Sequence, residues 1–147
     1  NYDVSKSSIS PFVKPYIVLN RENLRIGIMG LGVNPDGLIM EDNYNGIKYN
    51  DPLATARKIS TRLKKHEKCD VVICLSHLGS DTTLAGINDF DIAKGTKYID
   101  VIIGGHSHTM LENKKTINAK GKDVLIAQMG KSGLYIGRID IIFSKSN

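Results

Sequence analysis

The sequence contains little of what marks a disulfide scaffold, a membrane-spanning protein or a base-stacking nucleic-acid binder. It has two cysteines, no tryptophan and three phenylalanines in 147 residues. Two cysteines are too few for a disulfide framework, and no apolar run approaches the roughly 18 residues of a membrane-spanning helix. With 41% hydrophobic and 24% charged residues, the composition is typical of a globular fold rather than a disordered chain.

The positive charge is also not concentrated. Lysine and arginine number 20 against 15 acidic residues, which gives a net charge of +5. The lysines occur in small scattered groups with no aromatic residues between them, so a solvated surface is favoured over a nucleic-acid groove. A modest positive potential suits a small anionic substrate such as a phosphate ester. We therefore expect no nucleic-acid partner.

An initiator methionine and a signal-like segment are absent as well, because the sequence begins at Asn1. We therefore expect the chain to begin within a longer protein.

The first half of the chain predicts a hairpin, a helix and a buried strand. Tyr16–Leu19 and Leu24–Leu31 are apolar runs separated by a polar turn. Asp51 and Pro52 are typical of the N-cap and first position of a helix, which the apolar spacing extends to about His66. The following run, Asp70–Ser76, is unbroken rather than alternating, which predicts a central strand buried on both faces.

The second half predicts a crossover helix and a meander. Asn88 or Asp89 caps a short helix that ends at Gly95, and Asp100–Gly105 repeats the buried-strand pattern. Strands are then predicted at 116–118, 124–128 and 134–143. The fold class is α/β, with a mixed β-sheet flanked by helices.

Three of the four histidines follow the two buried strands. His77 ends the first, His106 ends the second after two glycines, and His108 is two residues further on. Carboxyl ends of neighbouring strands form the crevice where ligands bind in open α/β sheets, so His77 and His106 are expected to converge. An extended backbone would place His106 and His108 on one side. Imidazole suits zinc, iron, manganese and nickel. His66, in a charged helix end, is predicted to be solvated.

The motifs around these histidines resemble the 5′-nucleotidase branch of the calcineurin-like metallophosphoesterases. They are Leu75-Ser-His-Leu-Gly79, Ile99-Asp-Val-Ile-Ile-Gly-Gly-His-Ser-His-Thr109 and Asp51-Pro52, and the similarity runs from Asn1 to Phe143. The resemblance implies a site for two divalent metal ions, such as zinc, manganese or iron. It implies that His77 and His106 bind the second metal and that His108 binds the first. A bridging carboxylate is also required.

The remaining family motifs are missing from this chain. It has no Asp-x-His and no Asn-His, and therefore no Gly-Asn-His-Asp/Glu. Asp70 and Asp100 precede their strands, about 20 Å from the histidines, and only Asp81 could approach the site. The resemblance therefore implies that residues 1–147 are the C-terminal half of the catalytic domain, one half of a four-layer α/β/β/α sandwich. The catalytic His–carboxylate pair is expected in the N-terminal half.

Further expectations follow from the half-domain interpretation and from the resemblance. The chain alone is expected to be catalytically inactive, to bind metal weakly or adventitiously, and to self-associate through apolar surface that the other half would cover. The resemblance implies nucleotides or other phosphoesters as substrates and a periplasmic or cell-surface location. Gly79–Gly86 and Gln128–Gly133 are candidate substrate-bordering loops.

Three alternatives remain open. Gly27-Ile-Met-Gly30-Leu-Gly32 suggests a dinucleotide-binding loop, but its spacing is not Gly-x-Gly-x-x-Gly. A mononuclear zinc hydrolase with three histidine ligands would bind zinc tightly and stoichiometrically. A non-catalytic structural half would come from a gene that lacks the missing motifs upstream.

Overall fold

The computed structural model describes residues 1–83 and 86–143, which form a six-stranded mixed sheet, a separate two-stranded sheet and two α-helices. The elements in chain order are β1 (Tyr2–Asp3), β2 (Tyr16–Arg21), β3 (Leu24–Gly32), β4 (Lys48–Tyr49), α1 (Pro52–Lys65), β5 (Val71–His77), α2 (Asp89–Gly95), β6 (Val101–Ile103), β7 (Met110–Ile117) and β8 (Asp123–Met129). Two short 3₁₀ helices, Ser10–Phe12 and Glu41–Asn43, lie in the connections.

The main sheet has the strand order β2-β3-β5-β6-β8-β7. Its four central strands are parallel, and the edge strands β2 and β7 pair antiparallel with β3 and β8. The predicted hairpin, the parallel pairing across α2 and the mixed sheet are therefore confirmed. Strands β1 and β4 form a separate antiparallel pair. The carboxyl ends of β5 and β6 lie side by side because these two strands are parallel neighbours.

Both helices begin where the sequence predicts. The Asp51 carboxylate accepts the backbone N–H of Ala54, and Pro52 occupies the first turn of α1. Helix α2 begins with a capping box in which Asn88 accepts the N–H of Asp91 and Asp91 accepts that of Asn88. The backbone N–H of Asp89 also donates to the carbonyl of Gly79, which ties the start of α2 to the loop after β5.

The two helices pack on one face of the sheet, and their contacts with it form the core. Leu63 of α1 and Ile92 of α2 are fully buried with Val72, Cys74 and Ile102 of the strands. Gly27 of β3 is required there because a Cβ atom would lie 2.9 Å from Leu63 Cδ2. Burial raises the pKa of the Cys74 thiol to about 12, so this cysteine is protonated at neutral pH.

The opposite face of the sheet is apolar and largely uncovered. Its exposed side chains include Leu75 at 49%, Ile103 at 42% and Ile17 at 42%. These residues alternate with the buried ones along their strands, so β5 is buried on one face only. The prediction that both faces of β5 are buried is wrong because both α-helices pack on the other side of the sheet. We call this surface, which also includes Ile28 and Ile73, the open face.

The predicted strand at 134–143 is absent from the structure. This segment has no strand assignment, and Ile136 and Ile142 are 97% and 92% exposed. A strand forms only by pairing, and both edges of β8 are already paired, with β6 and with β7. The segment instead passes Met129 at the open face, where it lines a cavity of about 770 Å³ with Ile103.

The open face leads us to expect that the isolated chain self-associates. Contiguous exposed apolar surface on a soluble domain favours association. A variant with both Leu75→Lys and Ile103→Lys is expected to shift the chain toward monomer in light scattering at high concentration, because charge at the centre of this face opposes its burial. The matched control is Ala54→Lys with Thr61→Lys, which adds the same charge at exposed positions of α1. A strictly monomeric wild-type chain would contradict the prediction.

Candidate functional site

His77 is the last residue of β5 and lies on the open side of the sheet. Alternation along β5 places it with Ile73 and Leu75, and its side chain is exposed. Together with Leu75 and Gly32 it lines a cavity of about 690 Å³. The strand therefore delivers an accessible imidazole to the carboxyl edge of the sheet.

His106 lies in a tight turn that follows β6. The Ser107 N–H donates to the carbonyl of Gly105 at 2.9 Å, and His106 between them has φ of +68°. A hydrogen bond spanning three residues with a positive central φ has the form of a γ-turn, which is rare and strained for a residue with a Cβ atom. Such strain persists only where surrounding contacts hold it.

The turn brings the rings of His77 and His106 together. Their centroids lie 5.2 Å apart and their planes meet at 64°, an edge-to-face arrangement. Gly105 makes this approach possible, because a Cβ atom there would lie 2.9 Å from His77 Nδ1. The convergence of the two strand-end histidines, 29 residues apart in sequence, is thus present in the structure.

His108 is placed differently from the sequence-based expectation. Its φ is +54°, and together with the positive φ of His106 this means that the backbone is not extended across the His-x-His element. The expectation that His106 and His108 lie on one side assumed an extended backbone, and the structure does not have one here. Among residues 1–83 and 86–143, no three His, Cys, Asp or Glu side chains cluster closely enough to hold a metal ion. The assignment of His108 as a ligand stays a prediction.

A buried amide lies beneath the turn. Gln128, near the end of β8, is 2% exposed. Its Nε2 donates to the Gly105 carbonyl at 2.9 Å and to Ser80 Oγ at 3.1 Å. Its Oε1 accepts the Thr109 N–H at 2.6 Å and the Ser107 hydroxyl at 3.2 Å. The interpretation of Gln128 as a substrate-bordering residue is not supported by this burial.

Asp89 is a buried carboxylate below the same strand ends. It is fully buried, and neither of its oxygens has a hydrogen-bond partner among the described residues. The pKa of the Asp89 carboxyl is raised to about 6, chiefly by desolvation. The nearby Ser76 hydroxyl opposes this rise, although its contact with the carboxylate does not have the geometry of a normal hydrogen bond. Gly104 is required here because a Cβ atom would overlap Asp89 Oδ2.

Asp81 lies close to His106 but does not complete a ligand set with it. Both residues line a cavity of about 240 Å³ together with Asn34, Tyr49 and Asn88. The Asp81 carboxylate accepts the N–H and hydroxyl of Thr83, and these bonds lower its pKa. Asp81 therefore stays ionised on the lining of the cavity that His106 also borders, where it can meet a cation or a hydroxyl group.

The other acidic candidates have structural roles at the far end of the sheet. Asp70 Oδ2 accepts the Arg25 N–H and Asp100 Oδ2 accepts the Val72 N–H, both at 2.8 Å. These bonds join the starts of neighbouring parallel strands. His66 is the exposed C-cap of α1, as expected for a solvated histidine.

Sequence reasoning missed the supporting residues beneath the turn. One signal for Gln128 was available: it shares the alternation of Val124 and Ile126, both fully buried, so a polar side chain is placed on a buried face. Asp89 gave no such signal, because an acidic residue at a helix start is ordinarily a solvated capping residue.

Comparison with known proteins identifies relatives over most of the chain. It is 34% identical over 148 residues to the apyrase of Tabanus yao, covering 89% of this chain and 25% of the apyrase. It is 29% identical over 133 residues to the trifunctional nucleotide phosphoesterase protein YfkN of Bacillus subtilis, covering 90% of this chain and 8% of that protein. No family model matches the chain.

Solved structures give the same result for the fold. The NAD nucleotidase of Haemophilus influenzae superimposes with a TM-score of 0.69 at 28% identity, over 87% of this chain and 27% of that one. The calcineurin-like phosphoesterase YfkN gives 0.56 at 29% identity, over 65% and 33%. The chain therefore spans at most a third of each of these relatives. Within the described residues, no helix is long and apolar enough to cross a membrane.

Proposed function

From its homology with the 5′-nucleotidases and related nucleotide phosphoesterases of the calcineurin-like fold, we propose that residues 1–147 form the C-terminal half of a metal-dependent phosphoester hydrolase domain. The supporting observation is the pair His77 and His106, whose ring centroids lie 5.2 Å apart at the carboxyl edge of the sheet. We infer that nucleotides are the substrates, because the relatives are named for acting on nucleotides.

The residues present fit part of a metal centre. Two adjacent, accessible imidazoles are suitable nitrogen donors for zinc, iron or manganese. His77 and His106 would hold the metal, with His108 as the third candidate, and Asp81 is an acidic residue on the lining of the cavity that His106 borders. Divalent ions at such a site would polarise the phosphoryl oxygens and lower the pKa of water. No described carboxylate joins the histidine pair, which agrees with ligands supplied by another part of the domain.

The contribution of this chain is to hold the His77 and His106 imidazoles close together, because the two loops beside them are joined to each other. The loop after β5 and the turn after β6 are joined by the Ser80 N–H, which donates to Ser107 Oγ at 3.0 Å. The cavity beside His106 borders Gly79 and Gly86, so this part of the loop is a candidate substrate contact. Residues 84 and 85 lie outside the described part of that loop.

An assay of two preparations tests the proposal. The complete reading frame that contains these residues and residues 1–147 alone are each freed of metal, then assayed with an aryl phosphate and a nucleoside monophosphate after addition of Mn²⁺ or Zn²⁺. We expect metal-dependent turnover from the complete protein and none from residues 1–147. The reason is that two imidazoles alone cannot offset the charge of two divalent ions.

Each other result has a defined meaning. Turnover by residues 1–147 that His106→Ala abolishes would contradict the half-domain assignment, and tight stoichiometric zinc in that chain would favour the mononuclear alternative. Absence of turnover from the complete protein with either metal would contradict the hydrolase assignment. A periplasmic or cell-surface location stays a prediction, tested by fractionating cells that express the complete protein.

A further inference from the structure

We propose that Gln128 is a positioning residue whose buried amide holds the Gly105–Ser107 turn so that the His106 ring faces His77. The interpretation of the His77–His106 ring pair as metal ligands rests on the proposed hydrolase function. The pairing itself is a property of the chain and is measurable without activity.

The turn requires external support. His106 and His108 both have positive φ values, a conformation that a side chain with a Cβ atom rarely adopts. The local hydrogen bond from Ser107 N–H to the Gly105 carbonyl spans three residues only, and turns of this kind are strained. Left to its own preferences, this segment would adopt a more extended backbone and carry His106 away from His77.

Gln128 supplies this support, and both the donors and the acceptor of its amide are used in hydrogen bonds. A primary amide offers two N–H donors and one carbonyl oxygen with two lone pairs. Its two donor contacts reach the Gly105 carbonyl and Ser80 Oγ, and its oxygen accepts the Thr109 N–H and the Ser107 hydroxyl. The orientation of the amide follows from this network, because Thr109 N–H requires an acceptor and the Gly105 carbonyl requires a donor.

The contacts also connect parts of the chain that are far apart in sequence. Ser80 follows β5, Gly105 and Thr109 lie on either side of His106, and Gln128 belongs to β8. The Gly105 carbonyl accepts both the turn's own N–H and the Gln128 amide, so the first residue of the turn is tied to the sheet. A rigid strand thus fixes the direction in which His106 leaves the backbone.

The test compares two buried amides in the same hairpin. Gln128→Met replaces the amide by an apolar side chain of similar length. The matched control is Asn118→Leu: Asn118 is also buried, and its Oδ1 accepts the Lys120 and Lys122 N–H groups at the opposite end of β8. Both substitutions remove a buried amide that holds a turn, so both are expected to lower stability. Only Gln128→Met changes the support of His106.

The deciding measurement is the nuclear Overhauser effect between the His77 and His106 ring protons in metal-free residues 1–147. We expect this effect to be lost in Gln128→Met and kept in Asn118→Leu. The dissociation constant for Zn²⁺, followed through the same ring resonances, is expected to rise about 10-fold or more in Gln128→Met alone, as for other residues that orient metal ligands.

An unchanged ring–ring effect in a folded Gln128→Met variant would overturn the proposal, whatever its loss of stability. If that variant does not fold, Gln128→Asn decides the question, because it keeps an amide at this buried position while its shorter side chain withdraws that amide from the Gly105 carbonyl and the Thr109 N–H. Loss of the ring–ring effect there supports the proposal and its persistence overturns it. The ring–ring effect is measured without activity, so a complete protein that lacks hydrolase activity would not contradict the positioning role of Gln128.

Discussion

Alanine in place of His106 is expected to lower phosphoester hydrolysis by the complete protein at least about 100-fold. Loss of residues that merely orient a metal ligand costs 10- to 100-fold in affinity or activity, so loss of a ligand itself should cost no less. His77→Ala is expected to have a similar effect, and the double variant should be little worse than either, because the two rings act as one unit.

The matched control is His66→Ala. His66 is the same residue type, but it lies exposed at the C-terminal end of α1, away from the carboxyl edge of the sheet. Its substitution should leave both activity and metal affinity unchanged. Activity of His106→Ala within 10-fold of the wild type, measured with saturating metal, would contradict the assignment of His106.

His108→Ala separates two interpretations of the Gly-Gly-His-Ser-His element within the same set of variants. The family resemblance implies a ligand role for His108, whereas no three-residue ligand cluster surrounds it within residues 1–83 and 86–143. A loss comparable to that of His106→Ala would mean that other ligands draw His108 into the site. A small loss would leave His77 and His106 as the ligands from this part of the chain.

The sheet and the histidine pair could be predicted because both follow from local patterns. Asp51-Pro52 marks the start of α1, apolar runs mark β5 and β6, and a helix between two such runs implies parallel pairing. Parallel neighbours end at the same edge, so His77 and His106 had to approach each other. The glycines before His106 then showed that the backbone passes close to another group.

The predictions from sequence fail where the structure depends on which elements cover the sheet or pair with it. An unbroken apolar strand indicates two apolar faces, and Leu75 shows that one of them is open in this chain. The segment 134–143 has the composition of a strand but no unpaired neighbour at β8. Both errors have the same physical source, because strand formation and burial depend on partners that the local sequence does not specify.

The supporting groups beneath the site could not be found from the motif alone. A strained His106 backbone, a saturated Gln128 amide on β8 and an Asp89 carboxyl at the start of α2, which has no hydrogen-bond partner among the described residues, all lie at the carboxyl edge of the sheet. Together these features indicate that holding this edge of the sheet in one arrangement lowers the stability of the chain. Buried polar groups of this kind cost free energy unless they are fully paired.

Asp89 is expected to make the chain less stable at pH 7 than at pH 4. Burial raises the pKa of its carboxyl to about 6, whereas the ordinary value is 3.8, so the native state binds the proton more tightly than the unfolded chain does. Well below pH 4 the carboxyl is protonated in both states, so its titration causes no loss of stability there. Between about pH 4 and pH 6 the unfolded chain loses this proton while the native state keeps it, so stability falls by up to about 3 kcal/mol, and above pH 6 the native state carries the buried charge without further loss.

Asp89→Asn removes this charge while keeping the shape of the side chain. We expect the variant to be no more stable than the wild type near pH 4 and to be more stable at pH 7 by about 1–3 kcal/mol, the lower value allowing for an amide that is also unpaired. Urea unfolding of metal-free protein at several pH values, with circular dichroism as the signal, measures the difference.

The matched control for this substitution is Asp91→Asn on the same turn of α2. Asp91 is exposed and accepts the Asn88 N–H, so its substitution weakens a capping contact but leaves the buried carboxyl of Asp89 in place. The decline in stability between pH 4 and 6 should therefore persist in Asp91→Asn and disappear in Asp89→Asn. Equal declines in both variants would mean that another group causes the pH dependence and that Asp89 is paired or hydrated in the native chain.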